Sequence, residues 1–155
     1  MAKNFDAWNK FLDSPGIEGG KVDDKKDPGG RTAYGITQKT FSNWLGANKM
    51  PARDVFTITP VETAMIRRRY WDAVRADTLP PGVDVIAADV AFNGGAISEW
   101  LKALPKGTPL VQIKWLDAKR RGYWRSLWIF RYFGRGWMRR EDACLKLALT
   151  LVGGK

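Results

Sequence analysis

Histidine is absent from this chain of 155 residues. Its absence excludes Ser-His and Cys-His nucleophile systems, histidine general bases and most zinc sites. Acid–base chemistry near neutral pH must therefore come from carboxylates, lysine, tyrosine or cysteine. The sequence also lacks a P-loop and a dinucleotide-binding fingerprint. We expect neither a metal ion nor an organic cofactor.

Cysteine occurs once, at Cys144, so an internal disulfide is excluded. Its neighbours in Ala143-Cys144-Leu145 indicate a small buried apolar residue. No hydrophobic run is long enough to span a bilayer, and residues 1–6 contain no apolar segment typical of a secretory signal. We therefore expect a soluble protein that is made in the cytoplasm.

The composition is that of a folded, strongly basic protein. Hydrophobic residues make up 45% of the chain and charged residues 27%, which argues against disorder. A length of 155 residues predicts a single domain, 1–155, with a real core. The formal net charge of +10 predicts an anionic partner, for which nucleic acid, anionic lipid and bacterial wall polymer all qualify.

Apolar spacing and capping signals predict a mainly helical chain with a small β element near the N-terminus. A Thr59-Pro60-Val61-Glu62 capping box marks one helix start, and Thr37 can cap another. The first helix either stops near Pro15-Gly16, with Glu18 in a turn, or tolerates a break just before Glu18. The predicted helices are approximately 4–15, 38–45, 60–74, 84–92, 98–104, 110–130 and 139–152.

Residues 18–37 are the most informative stretch. Glu18 is followed by two glycines, an acidic loop, the turn Asp27-Pro28-Gly29-Gly30 and a hydroxyl-bearing strand. Such a layout can set a protonated carboxyl across a groove from ionised carboxylates, as glycoside hydrolysis requires. Each residue also has a simpler interpretation: a solvated glutamate, an acidic loop or cation site, a turn-forming Asp27, strand filler at Thr32 and a helix cap at Thr37.

The ordered combination resembles the N-terminal signature of glycoside hydrolase family 108, which comprises lysozyme-like N-acetylmuramidases of bacteria and bacteriophages. Lys21 departs from the pattern, because the family usually has an aromatic residue there. Later segments are also similar to family members: Tyr70-Trp71, Arg75-Ala76-Asp77, Leu79-Pro80, Asp89–Gly95, Arg121–Leu127 and Phe133–Arg140. The last two resemble a part of the family that is described as a predicted peptidoglycan-binding segment.

The resemblance implies a mainly α, lysozyme-like (α+β) fold: a helical bundle with a small β-hairpin or sheet lining the active-site groove. Residues 1–95 would form the catalytic region and 96–155 the helical C-terminal part. Glu18 would be the catalytic acid, and Asp27 or a water held by Thr32 or Thr37 would serve the opposite face. The substrate-binding residues implied are Gly30, Tyr34, Thr37, Trp71 and Asn93.

The segment 112–140 combines basic and aromatic residues and contains one acid, Asp117. One interpretation is a helix with a buried aromatic face and a solvated basic face. The other is a cationic surface that attracts peptidoglycan or outer-membrane lipid. The tryptophans could also stack on sugar rings.

We therefore expect a peptidoglycan hydrolase of the endolysin type, a muramidase that cleaves the β-1,4 bond between N-acetylmuramic acid and N-acetylglucosamine. It would reach the cell wall after holin-type release. A lytic transglycosylase with Glu18 as sole acid and base remains an alternative, as does a non-catalytic cationic wall-binding protein. The absence of nucleic-acid motifs argues against a nucleic-acid partner, and nothing in the sequence requires more than a monomer.

Overall fold

The computed structural model describes residues 2–25 and 29–153. Within them the chain forms seven α-helices, three short strands and two 3-10 turns. The helices are α1 (Ala2–Leu12), α2 (Gln38–Ala47), α3 (Pro60–Ala73), α4 (Val83–Asn93), α5 (Ile97–Lys102), α6 (Pro109–Ser126) and α7 (Phe130–Gly153). The strands are β1 (Lys21–Asp23), β2 (Arg31–Ala33) and β3 (Ile36–Thr37), and the 3-10 turns are Val55–Thr57 and Ala76–Thr78. The predicted mainly α fold class with a small antiparallel sheet is confirmed.

The chain divides into two compact units. The sheet unit is Asn9–Arg67, and the helical unit is Met1–Trp8 together with Arg68–Lys155. These boundaries fall within α1 and α3 and differ from the division at residue 95 that the resemblance implies. The single-domain organisation stays a prediction.

The sheet unit is built around an antiparallel meander in the order β1-β2-β3. Val22 pairs with Thr32, and Thr32 pairs on its other side with Thr37. The apolar core of the unit consists of Leu12, Ala33, Ile36, Phe41, Trp44, Leu45, Val55, Ile58 and Ile66. Strands of two or three residues are too short to bury much surface, so this core comes mainly from the surrounding helices.

The two predicted caps are confirmed by their hydrogen bonds. Thr59 Oγ1 accepts from the Glu62 backbone N–H at 3.2 Å, and Glu62 Oε2 accepts from the Thr59 N–H at 2.9 Å. This reciprocal pair is the capping box, and it starts α3 at Pro60. Thr37 Oγ1 accepts from the Thr40 N–H at 3.2 Å and so starts α2.

The helical unit is organised around α4, in which every residue from Val83 to Val90 is buried. A helix that is apolar on every side belongs in a core, and α4 packs against both α6 and α7. An aromatic cluster adds to this core, with Trp71 close to Phe5 and Trp8 and with Trp8 edge-on to Phe92. Cys144 is fully buried on α7, as predicted, and burial raises the pKa of its thiol.

A cluster of charged side chains lies inside the helical unit. Asp89 is fully buried and accepts hydrogen bonds from Trp8 Nε1 at 3.0 Å, from Arg120 Nη1 at 2.6 Å and from Arg140 Nη2 at 3.0 Å. Burial alone would raise its pKa, but the Arg140 and Arg120 guanidiniums hold the pKa of Asp89 well below its usual range. Asp89 therefore stays ionised and ties α1, α4, α6 and α7 together.

The prediction of one long helix over 110–130 is wrong at its C-terminal end. α6 ends at Ser126, Leu127 is extended, and α7 begins at Phe130, nine residues before the predicted start of the last helix. Ser126 Oγ donates to the Tyr123 carbonyl at 2.5 Å, a local bond that competes with helix continuation. The break turns one helix into an antiparallel pair, α6 and α7, which pack against each other.

Candidate active site

Glu18 lies in a turn that follows α1, six residues beyond the end of that helix. Its backbone N–H donates to the Leu12 carbonyl at 3.0 Å, and the Ile17 N–H donates to the Ser14 carbonyl at 3.1 Å. The residue is half-buried. Of the two arrangements left open by the sequence, the turn is therefore confirmed, and it fixes the backbone of Glu18 against the end of α1.

Gly19 is required by close packing. A Cβ atom at this position would lie 2.4 Å from the Asp13 carbonyl oxygen, which is backbone and cannot move aside. The sequence suggested that glycines here let a polymer approach the backbone. The structure gives a different reason at Gly19, because the chain itself fills the space.

The hairpin between β2 and β3 carries a left-handed Tyr34. Its two loop residues, Tyr34 and Gly35, have φ values of +53° and +79°, the signs that a two-residue type I′ turn requires. Left-handed backbone is disfavoured for a tyrosine and persists where surrounding contacts hold it. Here the Tyr34 N–H donates to the Gly20 carbonyl at 2.8 Å, which joins the hairpin to the segment after Glu18.

Arg67 supplies a second restraint on the same hairpin. Its side chain is 0% exposed, and Nη2 donates to the Tyr34 carbonyl at 2.9 Å. Nη1 donates to the Asn9 carbonyl, to Asn9 Oδ1 and to Asp13 Oδ1 at 2.8–3.1 Å. One rigid guanidinium thus connects the end of α1 to the Tyr34 turn. The segment before Glu18 is therefore held by the buried Arg67, and the segment after it by the Tyr34 N–H.

The two candidate threonines are cross-strand partners, so their side chains share one face of the sheet. The Thr37 hydroxyl is occupied by the α2 cap: it accepts from the Thr40 N–H and donates to Thr40 Oγ1 at 3.1 Å. The Thr32 hydroxyl donates to the Gly30 carbonyl at 3.1 Å. Since a hydroxyl has two lone pairs, Thr32 keeps acceptor capacity for a water molecule.

Two carboxylates, Asp23 and Asp54, lie around Arg31. Its guanidinium donates to both oxygens of Asp54, at 2.9 and 2.7 Å, and to Asp23 Oδ2 at 2.9 Å. It also lies over the Phe56 ring, 3.7 Å from the centroid. The hydrogen bond from Arg31, together with the Phe56 backbone N–H, lowers the pKa of Asp54 to about 2.

The sheet unit therefore contains the half-buried Glu18, the hydroxyls of Thr32 and Thr37, and two carboxylates, Asp23 and Asp54, that are bound by Arg31. Gly30, at φ +59°, lies next to β2. Asp27, predicted to serve the second face, lies outside the described residues. Among the residues that the structure describes, no three His, Cys, Asp or Glu side chains are grouped to hold a metal ion. The chemistry available to these side chains is acid–base chemistry on a polar substrate.

Comparison with known proteins identifies the family. The model of glycosyl hydrolase 108 matches residues 15–95, more than half of the chain. The chain belongs to this family. Among solved structures it is similar to SagA of Brucella abortus, at 29% sequence identity and a TM-score of 0.79, over 97% of this chain and 96% of that chain. The comparison with curated proteins gives no significant match.

Membership of glycosyl hydrolase family 108 makes the chain a glycoside hydrolase and supports peptidoglycan as its substrate. The matched segment contains Glu18, both candidate threonines and the whole sheet. It ends at residue 95, so the resemblance of 96–155 to a peptidoglycan-binding segment stays a prediction.

Two predicted substrate-binding residues belong to the helical unit. Trp71 is 0% exposed, packs against Phe5 and Trp8 and donates to Asp77 Oδ1 at 2.9 Å, so its contacts are those of a core residue. Asn93 is exposed at the end of α4 and remains available to a ligand. The structure does not group either residue with the sheet unit.

Sequence reasoning missed three residues of this site: Arg67, Arg31 and Asp54. Arg67 was one of three consecutive arginines, and helix phase could have singled it out, because Thr63 and Ile66 place it on the buried stripe of α3. Nothing local marks Asp54 as a partner of Arg31, since 23 residues separate them and the pairing depends on the fold.

Proposed function

We propose that this chain is an N-acetylmuramidase that hydrolyses the β-1,4 bond between N-acetylmuramic acid and N-acetylglucosamine, with Glu18 as the general acid. The main support is the placement of Glu18: half-buried, with its backbone bonded to α1 and the following segment bonded to the Tyr34 turn. A general acid must be held within hydrogen-bond reach of the leaving oxygen, so a fixed backbone is what the role requires.

In the proposed reaction, Glu18 gives its proton to the glycosidic oxygen as the bond from that oxygen to the muramic C1 breaks. A water molecule adds to C1, which becomes a reducing end, and the proton lost by that water restores the acid through solvent or a second carboxylate. Thr32 is the better of the two threonines for holding the water, because the Thr37 hydroxyl is used by the α2 cap. Asp27 keeps its predicted place as the second carboxylate.

The alternatives to this reaction are a different cleavage at the same site and a role without catalysis. In a lytic transglycosylase the 6-hydroxyl of the muramic sugar replaces water, so Glu18 alone would act as acid and base and the product would be an anhydro sugar. In a non-catalytic wall-binding protein neither product would form. The endolysin role, with release to the wall from the cytoplasm, rests on the family resemblance and stays part of the proposal.

The C-terminal part is proposed to assist by contacting glycan strands. A groove of about 460 Å³ in the helical unit lies between α5 and α6 and is lined by three aromatic residues, Trp100, Trp115 and Tyr123, with Lys119 at its edge. Trp100 and Tyr123 meet edge to face with centroids 6.0 Å apart. Aromatic faces stack on sugar rings, and a lysine suits the carboxylates of the peptide stems.

The test is mass spectrometry of purified peptidoglycan digested by wild type and by Glu18→Gln. We expect reducing muramic ends with wild type and a rate lower by about 10²–10⁴-fold with Glu18→Gln, because the glutamine amide is too weakly acidic to protonate the leaving oxygen. Glu99→Gln is the matched control, since Glu99 is an exposed glutamate on α5 and should keep full activity.

Each outcome points to one of the reactions. Anhydro ends would establish the transglycosylase, and no cleavage by folded wild type would leave a binding protein. Normal turnover by folded Glu18→Gln would remove Glu18 from the mechanism while leaving the family assignment in place.

A further inference from the structure

The turn between α6 and α7 exposes large aromatic side chains. The segment Leu127-Trp128-Ile129-Phe130-Arg131-Tyr132-Phe133 is apolar or aromatic at six of seven positions. Trp128 is 73% exposed, Tyr132 64% and Phe133 50%. Aromatic residues of this size are usually covered, and a contiguous exposed group of them marks an interaction surface. We call Trp128, Arg131, Tyr132, Phe133 and Arg135 the aromatic tip.

The aromatic tip is a structured surface. Trp128 meets Tyr132 edge-on with centroids 6.1 Å apart, and the Arg131 guanidinium lies 4.9 Å from the Tyr132 centroid and 5.6 Å from that of Trp128. Phe133 stacks on Trp137, with centroids 6.1 Å apart. The exposed rings are therefore already ordered before anything binds, which lowers the entropic cost of binding.

The charge around the tip has one sign. No acidic residue occurs from 118 to 140, while the same stretch carries eight lysines and arginines. Arg120 and Arg140 are neutralised inside the unit by Asp89, and Arg121 pairs with Asp117 and Asp142. The others are exposed and, within the described residues, form no ion pair with a carboxylate: Lys119, Arg125, Arg131, Arg135 and Arg139.

We propose that the aromatic tip docks on the surface of an anionic phospholipid bilayer. Tryptophan and tyrosine favour the headgroup region because one end of each ring system is apolar and the other polar. Arginine side chains place their stems along apolar surface and their guanidiniums against phosphates. The tip combines both features at one turn. The contact is peripheral, since no helix of the described chain is both long and apolar enough to cross a bilayer.

The charge and shape of the tip favour lipid over other occupants. A second copy of the chain would bring a surface of the same positive sign against it, so charge opposes self-association through this patch. A glycan strand suits the aromatic groove between α5 and α6, whose lining contains none of the tip residues. The tip instead presents rings at a helix-to-helix turn, where they can enter a fluid interface. This inference is independent of the proposed cleavage reaction.

The experiment measures binding of the purified chain to large unilamellar vesicles by flotation. One set contains phosphatidylcholine alone and the other about one-third phosphatidylglycerol. We expect binding to the anionic vesicles that weakens with added salt, and little binding to the neutral ones. Trp128→Ser combined with Tyr132→Ser should weaken anionic binding by at least about tenfold, because two interfacial rings are lost.

The matched control removes exposed apolar groups elsewhere in the same unit. Leu110→Ser with Val111→Ser, at residues that are 40% and 47% exposed on α6, should bind like wild type. Arg131→Gln with Arg135→Gln should weaken anionic binding by about tenfold or more, and Lys106→Gln with Lys114→Gln, which removes the same charge, should have a clearly smaller effect. All four variants change exposed residues, and far-UV circular dichroism checks their folding.

Four results would overturn the proposal. Wild type could fail to bind anionic vesicles, or could bind neutral vesicles equally well. The Trp128/Tyr132 variant could bind vesicles like wild type. Finally, that variant could keep vesicle binding while losing binding to purified peptidoglycan sacculi, which would assign the tip to glycan. Quenching of tryptophan fluorescence by brominated lipid gives a second readout, which Trp128→Phe should reduce.

Discussion

The two units of this chain bury arginine in different ways. In the sheet unit, Arg67 donates to two backbone carbonyls, one amide and one partly exposed carboxylate. In the helical unit, Arg120 and Arg140 share the fully buried carboxylate of Asp89. The first arrangement fixes the end of α1 and the Tyr34 turn. The second fixes the packing of helices.

This difference predicts which mutations should lower stability alone and which should also lower activity. The Arg67 guanidinium donates to backbone carbonyls and so holds a local backbone conformation. Its loss should change the backbone geometry beside Glu18. In a buried ion cluster, the attraction between opposite charges offsets the free-energy cost of removing them from water. Removing one member leaves the others as unpaired buried charges. Mutations that remove Asp89 or one of its two arginine partners should therefore lower the free energy of unfolding, while mutations around Arg67 should also change turnover.

The strongest test of this comparison is Asp89→Asn. The substitution leaves two guanidiniums in the core without their shared carboxylate, and we expect the free energy of unfolding to fall by about 3–5 kcal/mol. Urea denaturation followed by circular dichroism measures it. Asp72→Asn is the control, because Asp72 is an exposed partner of Arg68 and its loss should change stability by less than about 1 kcal/mol. An equally small change for Asp89→Asn would remove the cluster as a stabilising feature.

Glu141 shows the unfavourable side of the same cluster. Its side chain is 0% exposed, and Arg120 Nη1 lies 3.1 Å from Oε2 without hydrogen-bond geometry. Burial raises the pKa of Glu141 to about 8 against the attraction of Arg120, and Asp117 and Asp89 act in the same direction as burial. A carboxyl with a raised folded pKa contributes stability below its unfolded pKa, and that contribution is lost as pH rises toward the folded value.

Glu141→Gln should therefore gain stability relative to wild type as pH rises. Glutamine mimics the protonated acid, so the difference should grow by on the order of 3 kcal/mol between pH 5 and pH 8. Urea denaturation at both pH values measures it, with the exposed Glu99→Gln as the control. A difference that is constant with pH would mean that Glu141 ionises normally in the folded protein.

How far the sequence could predict this molecule depends on the range of the interactions. The Thr59–Glu62 capping box and the Thr37 cap involve residues three apart, and both were predicted correctly. The turn that carries Glu18 was one of two arrangements that Pro15-Gly16 allowed. The sheet was predicted because turn-forming residues separate its strands.

Contacts between residues that lie far apart in the sequence could not be predicted from it. The helix break after Ser126 contains no glycine or proline, so apolar periodicity ran straight through it to Phe130. The aromatic residues beyond Gln112 divided between core and surface, with Trp124 buried and Trp128 exposed, which composition alone could not decide. Trp71, which the family resemblance implied to be a substrate-binding residue, is buried in the core of the helical unit because α3 turns it inward.

Arg67→Lys tests the buried arginine of the sheet unit, and its expected effect on the free energy of unfolding is smaller. Lysine keeps the charge but not the planar fork, so it cannot reach the Tyr34 carbonyl and the acceptors on Asn9 and Asp13 together. We expect the free energy of unfolding to fall by about 1–3 kcal/mol, since buried acceptors lose their donor. We also expect turnover of peptidoglycan per folded molecule to fall by about tenfold, because the hairpin beside the Glu18 turn is less well held.

The measurement of Arg67→Lys must separate these two effects. Turnover should be compared at a temperature where both proteins are fully folded by circular dichroism, with the exposed Arg69→Lys as the control. Because a positioning residue acts on the reacting geometry, kcat should fall more than KM rises. Reduced stability with unchanged turnover would show that Arg67 holds only the fold, and the two units would then use buried arginine for the same purpose.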